Sequence, residues 1–154
     1  MVTPKDYPPN WVILPGSSVT AKLVTPKWTN KPVIEIRGNR PGIFSLGILL
    51  LWITTDPSAT ESLSITGLPF VRAQSTLCLI VVQTWKSSDS YGQLIRTDKD
   101  KQFQWLISPE LLQRAAISLL SIAFTPPDLC GDHMHGDLAP DCEYELFFVR
   151  DDDA

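Results

Sequence analysis

The sequence is poor in cysteine, in basic residues and in long apolar runs, and each of these absences excludes a class of protein. Only three of the 154 residues are cysteines, which is too few for a disulfide framework. Lysine and arginine number 13 against 17 aspartates and glutamates, so the chain has a net charge of −4 and lacks the basic face that nucleic-acid binding requires. No uninterrupted apolar run reaches the roughly 18 residues of a membrane span. No hydrophobic signal-peptide segment follows Met1–Asn10. We therefore expect neither a nucleic-acid nor a membrane partner.

What the chain does have is enough apolar residues for one packed domain. Apolar side chains make up 44% of the sequence and charged ones 19%, which excludes wholesale disorder. A chain of this length suits one domain and is too short for two ordinary ones. Thirteen prolines against eight glycines interrupt the whole chain.

The first 32 residues form a proline-rich segment with six of the prolines. Proline fixes φ and lacks an N–H, so such a stretch is neither a helix nor a central strand. We interpret residues 1–32 as an extended arm that lies over a surface, in which Val19–Val24 could form a short strand. Trp11 and Trp28 are the predicted anchors of this arm, because a free tail has little use for tryptophan.

From Val33 onward the pattern is that of short β-strands separated by turns. Residues 33–37 start apolar and then alternate, and a turn cluster follows at 38–42. Further strands are predicted at 43–55, 63–67, 76–85, 91–97, 101–107 and 143–150. This spacing predicts an all-β fold, a jelly-roll-like antiparallel β-sandwich over residues 33–150 with one short helix, followed by an acidic tail at 151–154.

The segment 109–124 allows two interpretations. Ser108, Pro109 and Glu110 are typical of a helix start, with an N-cap, a proline at the first position and an acid near the positive end of the dipole. Apolar residues then recur at helical spacing, which favours one long helix. The alternative is a short helix over 109–115 followed by a strand over 117–124.

Two predicted strands, Ile43–Ile53 and Leu77–Val82, are apolar on both faces. A two-layer sandwich buries one face of each sheet and leaves the other in water. The second apolar face therefore needs a cover, from the arm, from a helix or from another subunit. Closed homo-oligomers commonly cover such faces, and the predicted interface consists of Leu46, Ile48, Leu50, Trp52, Leu79 and Val81.

The order of segments over residues 33–85 resembles a pattern in virion proteins of tailed bacteriophages. Residues 33–38, a long apolar strand, a polar turn and then Ser64–Phe70 are similar to the jelly-roll tip domains of tail fibres and tail spikes, where a strand ends in an Ile-Ser/Thr-Gly-Leu-Pro-Phe segment. The glycine would permit a bend, the proline would end the strand pairing and the phenylalanine could fold back into the core. The distinctive residues are Gly67, Leu68, Pro69 and Phe70.

The resemblance implies a homotrimeric structural protein of the virion, without enzymatic activity, that serves as a tail-fibre or receptor-binding component. Its partners would be copies of itself, other virion proteins of the fibre, baseplate or capsid, and a host-surface glycan bound by the sheet face or loops. It also implies a strand near 117–124, for which reason we predict the mixed form of segment 109–124. Two alternatives stay open, a capsid decoration (cement) protein that stabilises the head and a cellular carbohydrate-binding module.

The polar cluster at 129–142 contains both histidines of the chain. On an extended backbone His133 and His135 would point to one side, where they could bind one metal ion. The spacing also resembles the iron-binding pairs of some phage fibres and spikes, and the alternative interpretation is a solvated polar loop. Cys130 and Cys142 could form a disulfide. No cofactor other than this metal ion is predicted.

Catalysis finds little support in the sequence. No Ser/His/Asp arrangement has a recognisable spacing and no glycine-rich phosphate loop is present, so no catalytic residue is predicted. Trp85, Tyr91 and Trp105 could stack on sugar rings, with core packing or arm docking as the alternative use. Cys78 lies among apolar neighbours and is predicted to be an inert core thiol.

Overall fold

The computed structural model describes residues 13–55, 62–74, 76–84, 91–97, 101–126, 133–136 and 138–152. Within these residues the chain forms nine strands and two helices. In chain order they are β1 (Val19–Val24), β2 (Val33–Gly38), α1 (Arg40–Thr55), β3 (Ser62–Ser64), β4 (Val71–Ala73), β5 (Cys78–Gln83), β6 (Gln93–Arg96), β7 (Gln102–Ile107), α2 (Pro109–Phe124), β8 (His133–His135) and β9 (Glu145–Arg150). Neither of the two described helices is long and apolar enough to cross a membrane.

The strands form two sheets, and both sheets mix parallel and antiparallel pairs. The first sheet has the order β4–β1–β2–β9–β8, with β1/β4 and β2/β9 parallel. The second has the order β3–β5–β7–β6, with β5/β7 parallel. A fold with two sheets and more strand than helix agrees with the prediction. The jelly roll is not confirmed, and the expectation of purely antiparallel pairing is wrong for these three pairs.

The two sheets share one hydrophobic core with the helices. Alternate residues of β2, β5, β7 and β9 are buried, as the pleat of a strand with one wet face requires. Trp105 of β7 packs against Phe148 of β9 with ring centroids 5.7 Å apart, which joins the two inner faces. Buried side chains of both helices belong to the same cluster.

Residues 40–55 form helix α1 where we predicted a strand. Asn39 Oδ1 accepts a hydrogen bond from the amide of Gly42 at 2.9 Å, which caps the first turn. The buried side chains include Ile43, Leu46, Leu50 and Ile53, which recur every three or four residues along one side of the helix. The sequence signal was ambiguous because this stretch is apolar on nearly every side, and a run of that kind carries no clear period.

Residues 109–124 form one continuous helix, so the predicted strand over 117–124 is also wrong. Ser108 Oγ accepts a hydrogen bond from the amide of Leu111 at 3.2 Å, and Pro109 occupies the first helical position. The helix buries one side, which includes Leu112, Ala116 and Leu119. The helical periodicity was therefore the correct signal.

The short strand Val19–Val24 forms as predicted, but it does not belong to a detached arm. β1 pairs with β2 on one side and with β4 on the other, and Val19 and Ala21 are buried. Pro15 and Pro26 lie outside the strand, so no ladder hydrogen bond is lost to them. The arm over residues 1–32 is not confirmed, and residues 1–12 lie outside the described part of the chain.

The two helices belong to two halves of the chain that repeat the same arrangement. Residues 33–55 (β2 and α1) and 102–124 (β7 and α2) have the same length, with strand and helix limits at matching positions. The N-caps Asn39 and Ser108 match as well. The first half contains β1–β5 and the second half β6–β9. β2 pairs in parallel with β9, the last strand of the second half, and β7 pairs in parallel with β5, the last strand of the first half. In both pairs the first residues of the two strands lie opposite each other. The first sheet thus combines β1, β2 and β4 of the first half with β8 and β9 of the second half. The second sheet combines β6 and β7 of the second half with β3 and β5 of the first half.

The repeat extends to the C-terminal ends of the helices. Gln83, the last residue of β5, donates from Nε2 to the carbonyl of Ile53 in α1 at 2.8 Å. Arg150, the last residue of β9, donates from its guanidinium to the carbonyl of Ile122 in α2 at 2.9 Å. In each half, a buried side chain at the end of a strand therefore donates to a carbonyl in the last turn of a helix, where the regular helical hydrogen bonds end.

The helices approach each other closely at matching positions of the repeat, Gly47 of α1 and Ala116 of α2. A Cβ on Gly47 would lie 3.2 Å from the carbonyl oxygen of Ala116 and 3.0 Å from Leu120 Cδ2. We expect Gly47→Val to lower the free energy of unfolding by about 2 kcal/mol, because a branched side chain forces the helices apart. Urea denaturation measures this effect.

Ser118→Val is the matched control, since it adds the same side chain on the exposed side of α2. It is expected to change the free energy of unfolding by about 0.5 kcal/mol or less. If Gly47→Val is as stable as the wild type, the close helix crossing is contradicted.

Candidate ligand-binding face

The two histidines lie together on the outer face of the first sheet. His133 and His135 are both exposed, while Met134 between them packs against the core, as the pleat of β8 requires. Their ring centroids are 6.0 Å apart. Within the described residues no group of three or more His, Cys, Asp or Glu side chains could hold a metal ion. Metal binding by the histidine pair therefore stays a prediction.

Trp28 and Phe147 complete a cluster of rings around these histidines. Trp28 is 56% exposed, and its ring centroid lies 5.8 Å from His135 and 5.5 Å from Phe147. Phe147 in turn lies 5.3 Å from His133 and 5.1 Å from His135, which is its direct partner in the β8/β9 ladder. We call Trp28, His133, His135 and Phe147 the aromatic platform. Trp28 thus packs on this sheet face.

Charged side chains continue the same outer face beyond the aromatic platform. Glu35 lies opposite Phe147 in the β2/β9 ladder. Arg37 donates from Nε to Glu35 Oε1 at 3.0 Å and from a terminal nitrogen to Asp151 Oδ2 at 2.9 Å. The hydrogen bond from Arg37 to Glu35 raises the pKa of Arg37, partial burial opposes this, and the hydrogen bond to Asp151 adds to the rise. These charges are therefore engaged with one another.

A pocket of about 290 Å³ opens beside the aromatic platform at the end of β8. Its lining includes Lys31, Tyr91, His135, Leu138, Tyr144 and Glu145. His135 belongs to both the pocket and the platform. The segment after β8 reaches the residues that precede β6, where the amide of Ala139 donates to the carbonyl of Gly92 at 3.0 Å. The pocket thus lies between the first sheet and the start of β6.

One carboxylate oxygen of the pocket wall is buried without a hydrogen bond. Glu145 Oε2 is inaccessible to solvent and accepts no hydrogen bond from any described residue. Lys31 Nζ, in the same wall, donates to the carbonyl of Pro140 at 3.0 Å. An ammonium group has three donors, so this bond leaves Lys31 with further capacity. A buried acceptor without a donor is costly, so the Glu145 carboxylate is incompletely satisfied where it stands. Glu145 also lines the pocket, which makes its carboxylate a candidate contact for a ligand.

The residues predicted as a subunit interface do not form a surface. Leu46, Leu50, Leu79 and Val81 are fully buried inside the chain, and Ile48 and Trp52 are partly buried on α1. The error has two causes. The first segment is a helix rather than a strand, and the register of β5 places Ile80 and Val82, not their neighbours, on the outside.

The remaining predicted residues lie in several places. Phe70 and Leu68 are buried and Pro69 is exposed, while the amide of Gly67 donates to Ser64 Oγ at 3.1 Å in the turn after β3. Trp105 is fully buried, so it is not available for stacking. Cys78 is partly exposed on β5, because the pleat turns it away from the core.

Three predicted residues, Trp11, Trp85 and Cys130, lie outside the described residues. Cys142 lies within the described part of the chain and is partly exposed. The Cys130–Cys142 disulfide therefore stays a prediction.

Sequence reasoning missed Lys31, Phe147 and Glu145. A signal existed for Phe147, because alternation along β9 assigns it to the wet face, where a phenylalanine is unusual. Lys31 comes from a loop far from β9 in the sequence, and no local pattern indicates that the two segments meet.

No family model matches the chain, and comparisons with curated proteins and with solved structures find no match. The function must therefore be argued from the chemistry of the site.

Proposed function

We propose that the protein is a non-enzymatic attachment component of a tailed-bacteriophage virion that binds a host-surface glycan through the aromatic platform. The observation that carries this proposal is the cluster of the exposed Trp28 and His135 with the half-buried Phe147 on a sheet face. The similarity of Ser64–Phe70 to tail-fibre tip domains supports the virion setting.

The platform suits a sugar ring because it combines an apolar ring surface with polar groups. Large aromatic side chains that stay exposed in a cluster mark a binding surface. Trp28 and Phe147 offer faces against which the C–H groups of a pyranose can pack, while the imidazoles offer hydrogen-bonding nitrogens. A flat sheet keeps these rings in fixed relative positions, which lowers the entropic cost of binding.

The charges beside the platform favour binding over catalysis. Glu35 and Asp151 both accept hydrogen bonds from Arg37, and Lys22 Nζ lies 4.0 Å from Glu35 Oε1, so both carboxylates are engaged in ion pairs. A general acid or base must be free to exchange a proton with a substrate, and it commonly has a perturbed pKa. Paired surface carboxylates of this kind serve better to hold the sheet face in place.

The outer face of the second sheet supports self-association. Its outward positions include Ile80, Val82, Ile95 and Leu106, and their neighbours across the strands are uncharged serines and glutamines. Each chain carries a net charge of −4, so two copies repel least through these outward strand positions, which carry no charged side chain among the described residues. We take this uncharged face as the subunit contact of the proposed homotrimer.

Trp28→Ala is expected to weaken glycan binding at least about tenfold, because an exposed tryptophan at the centre of a contact commonly dominates its energy. The purified protein is applied to a printed array of bacterial-surface oligosaccharides, and the strongest hit is then titrated by calorimetry. Phe124→Ala is the matched control, since Phe124 is 71% exposed at the end of α2 and lies outside the platform. It is expected to bind like the wild type.

Two outcomes contradict the proposed function. One is a wild-type protein that binds no oligosaccharide of the array and does not adsorb to bacterial cells. The other is a Trp28→Ala variant with wild-type affinity. Sedimentation analysis of the same preparation tests the homotrimer, whereas a monomer or dimer with the same affinity would favour a cellular carbohydrate-binding module.

A further inference from the structure

We infer that the pocket beside the aromatic platform is a second subsite, which holds a single pyranose ring through two neighbouring hydroxyl groups. The inference rests on the proposed function, because the pocket and the platform share His135. It goes further in assigning a distinct site, its ligand chemistry and the two side chains that recognise the ligand, Lys31 and Glu145.

The charges of the pocket determine the kind of ligand. Lys31 and Glu145 both line the pocket, so a ligand there meets a carboxylate acceptor and an ammonium group with donors left after its bond to Pro140. A cationic ligand would be repelled by Lys31 and an anionic ligand by Glu145. A neutral group that both donates and accepts satisfies the two side chains together, and two neighbouring hydroxyls do this.

The size and the walls of the pocket fit one ring. A volume of about 290 Å³ lies at the lower end of the range for small-molecule pockets, which leaves room for one sugar unit rather than a chain. Leu138 and Tyr91, which is 51% exposed, supply apolar surface for the ring. Tyr144 Oη accepts a hydrogen bond from Arg96 at 3.2 Å, which fixes the orientation of that wall.

The arrangement is assembled before a ligand arrives. Gly136, at the end of β8, donates its amide to the carbonyl of Leu146 at 2.9 Å, and a Cβ on Gly136 would lie 3.0 Å from the Leu146 side chain. The bond from Ala139 to Gly92 ties the next part of the wall to the second sheet. A pocket held from both sides loses little entropy on binding.

The test compares Glu145→Gln and Lys31→Met with the wild type, using two probes. The first probe is the strongest oligosaccharide of the array described above. The second is a set of methyl glycosides of glucose, galactose, mannose and N-acetylglucosamine, titrated by NMR. We expect each variant to lose about tenfold in affinity for the oligosaccharide and to lose the methyl glycoside signal, because each removes one charge-assisted hydrogen bond.

Lys22→Met is the matched control, since Lys22 lies on the same sheet face but beside Glu35 rather than in the pocket. It is expected to bind both probes like the wild type. Trp28→Ala is expected to keep the methyl glycoside signal while it loses the oligosaccharide. Thermal unfolding of each variant checks that it folds. If Glu145→Gln does not fold, the affinity of Lys31→Met for the two probes tests the subsite.

The outcomes separate this inference from the proposed function. If the wild type binds the oligosaccharide and Trp28→Ala does not, but Glu145→Gln and Lys31→Met bind normally, the pocket is no subsite and the proposed function stands. If the wild type binds neither probe, both ideas are wrong.

Discussion

Arg150→Met is expected to lower the free energy of unfolding by about 3 kcal/mol, because two charge-assisted hydrogen bonds at the end of α2 are lost. The Arg150 side chain is only 3% exposed. Its guanidinium donates to the carbonyls of Ile122, in the last turn of α2, and of Thr125, the C-cap residue. Methionine keeps the apolar stem, so the loss reports on the two hydrogen bonds together with the ion pair from Arg150 Nε to Asp152 Oδ1 at 3.7 Å. Urea denaturation, with the slope held equal between variants, gives the value.

Two further variants show whether burial and charge cause the effect. Arg114→Met removes an exposed arginine from α2 and is expected to change stability by about 0.5 kcal/mol or less. Gln83→Met removes the matching contact to Ile53 in the other half of the chain. Its cost is expected to be about 1 kcal/mol or less, because the donor is neutral and the variant also removes Gln83 Oε1, a buried acceptor with no described partner. Equal losses for Arg150→Met and Arg114→Met would contradict the assignment of Arg150 as a helix-end contact.

Trp105→Ala is expected to cost about 4 kcal/mol, the typical loss for a fully buried tryptophan. Trp105 is completely buried and packs on Phe148, where the inner faces of the two sheets meet. Alanine would leave a cavity between the sheets that they cannot close without moving apart. Chemical denaturation monitored by circular dichroism avoids any dependence on the fluorescence of the residue removed.

Trp105→Phe separates the ring from its N–H group. Trp105 Nε1 is buried and has no hydrogen-bond partner among the described residues. Phenylalanine removes this unpaired donor and keeps most of the ring, so the expected cost is about 1.5 kcal/mol or less. The exposed Phe124→Ala serves as the surface reference. A Trp105→Ala variant no less stable than Phe124→Ala would show that the two sheets do not pack through this residue.

The strands were predictable where their side chains alternate in polarity. β7 and β9 fall within the predicted segments, and β2 extends one residue beyond the predicted 33–37. In β2 and β7 the inward side chains are apolar and the outward ones mostly polar, whereas in β9 the outward Phe147 weakens this alternation. The segment 43–53 could not be assigned in this way, since it is apolar on nearly every side and only the cap at Asn39 and contact with α2 fix it as a helix. In segment 109–124 the helical period was visible, and the resemblance to another fold led us away from it.

The internal repeat is almost invisible in the sequence. When residues 33–55 are placed beside 102–124, identical residues occur only at Ile48/Ile117, Leu50/Leu119, Leu51/Leu120 and Ile53/Ile122. All of these are common helix-core residues, so they carry little signal for a repeat. The shared caps differ in chemistry as well, with asparagine against serine at the start and glutamine against arginine at the end.

The candidate site was predictable only in its local part. The pleat alone placed His133 and His135 on one side of a strand. The meeting of Trp28 with Phe147, and of Lys31 with Glu145, depends on how β2, β8 and β9 assemble, and single-sequence patterns do not encode such long-range pairing.

The exchange of strands between the two halves makes the whole chain a single cooperative unit. β2 obtains its parallel partner from β9, near the far end of the chain, and β7 obtains its partner from β5 in the opposite half. Either half taken alone would therefore contain only some strands of each sheet and one of the two helices. Contacts between residues so distant along the chain make folding slow, because both halves must be present before either sheet is complete.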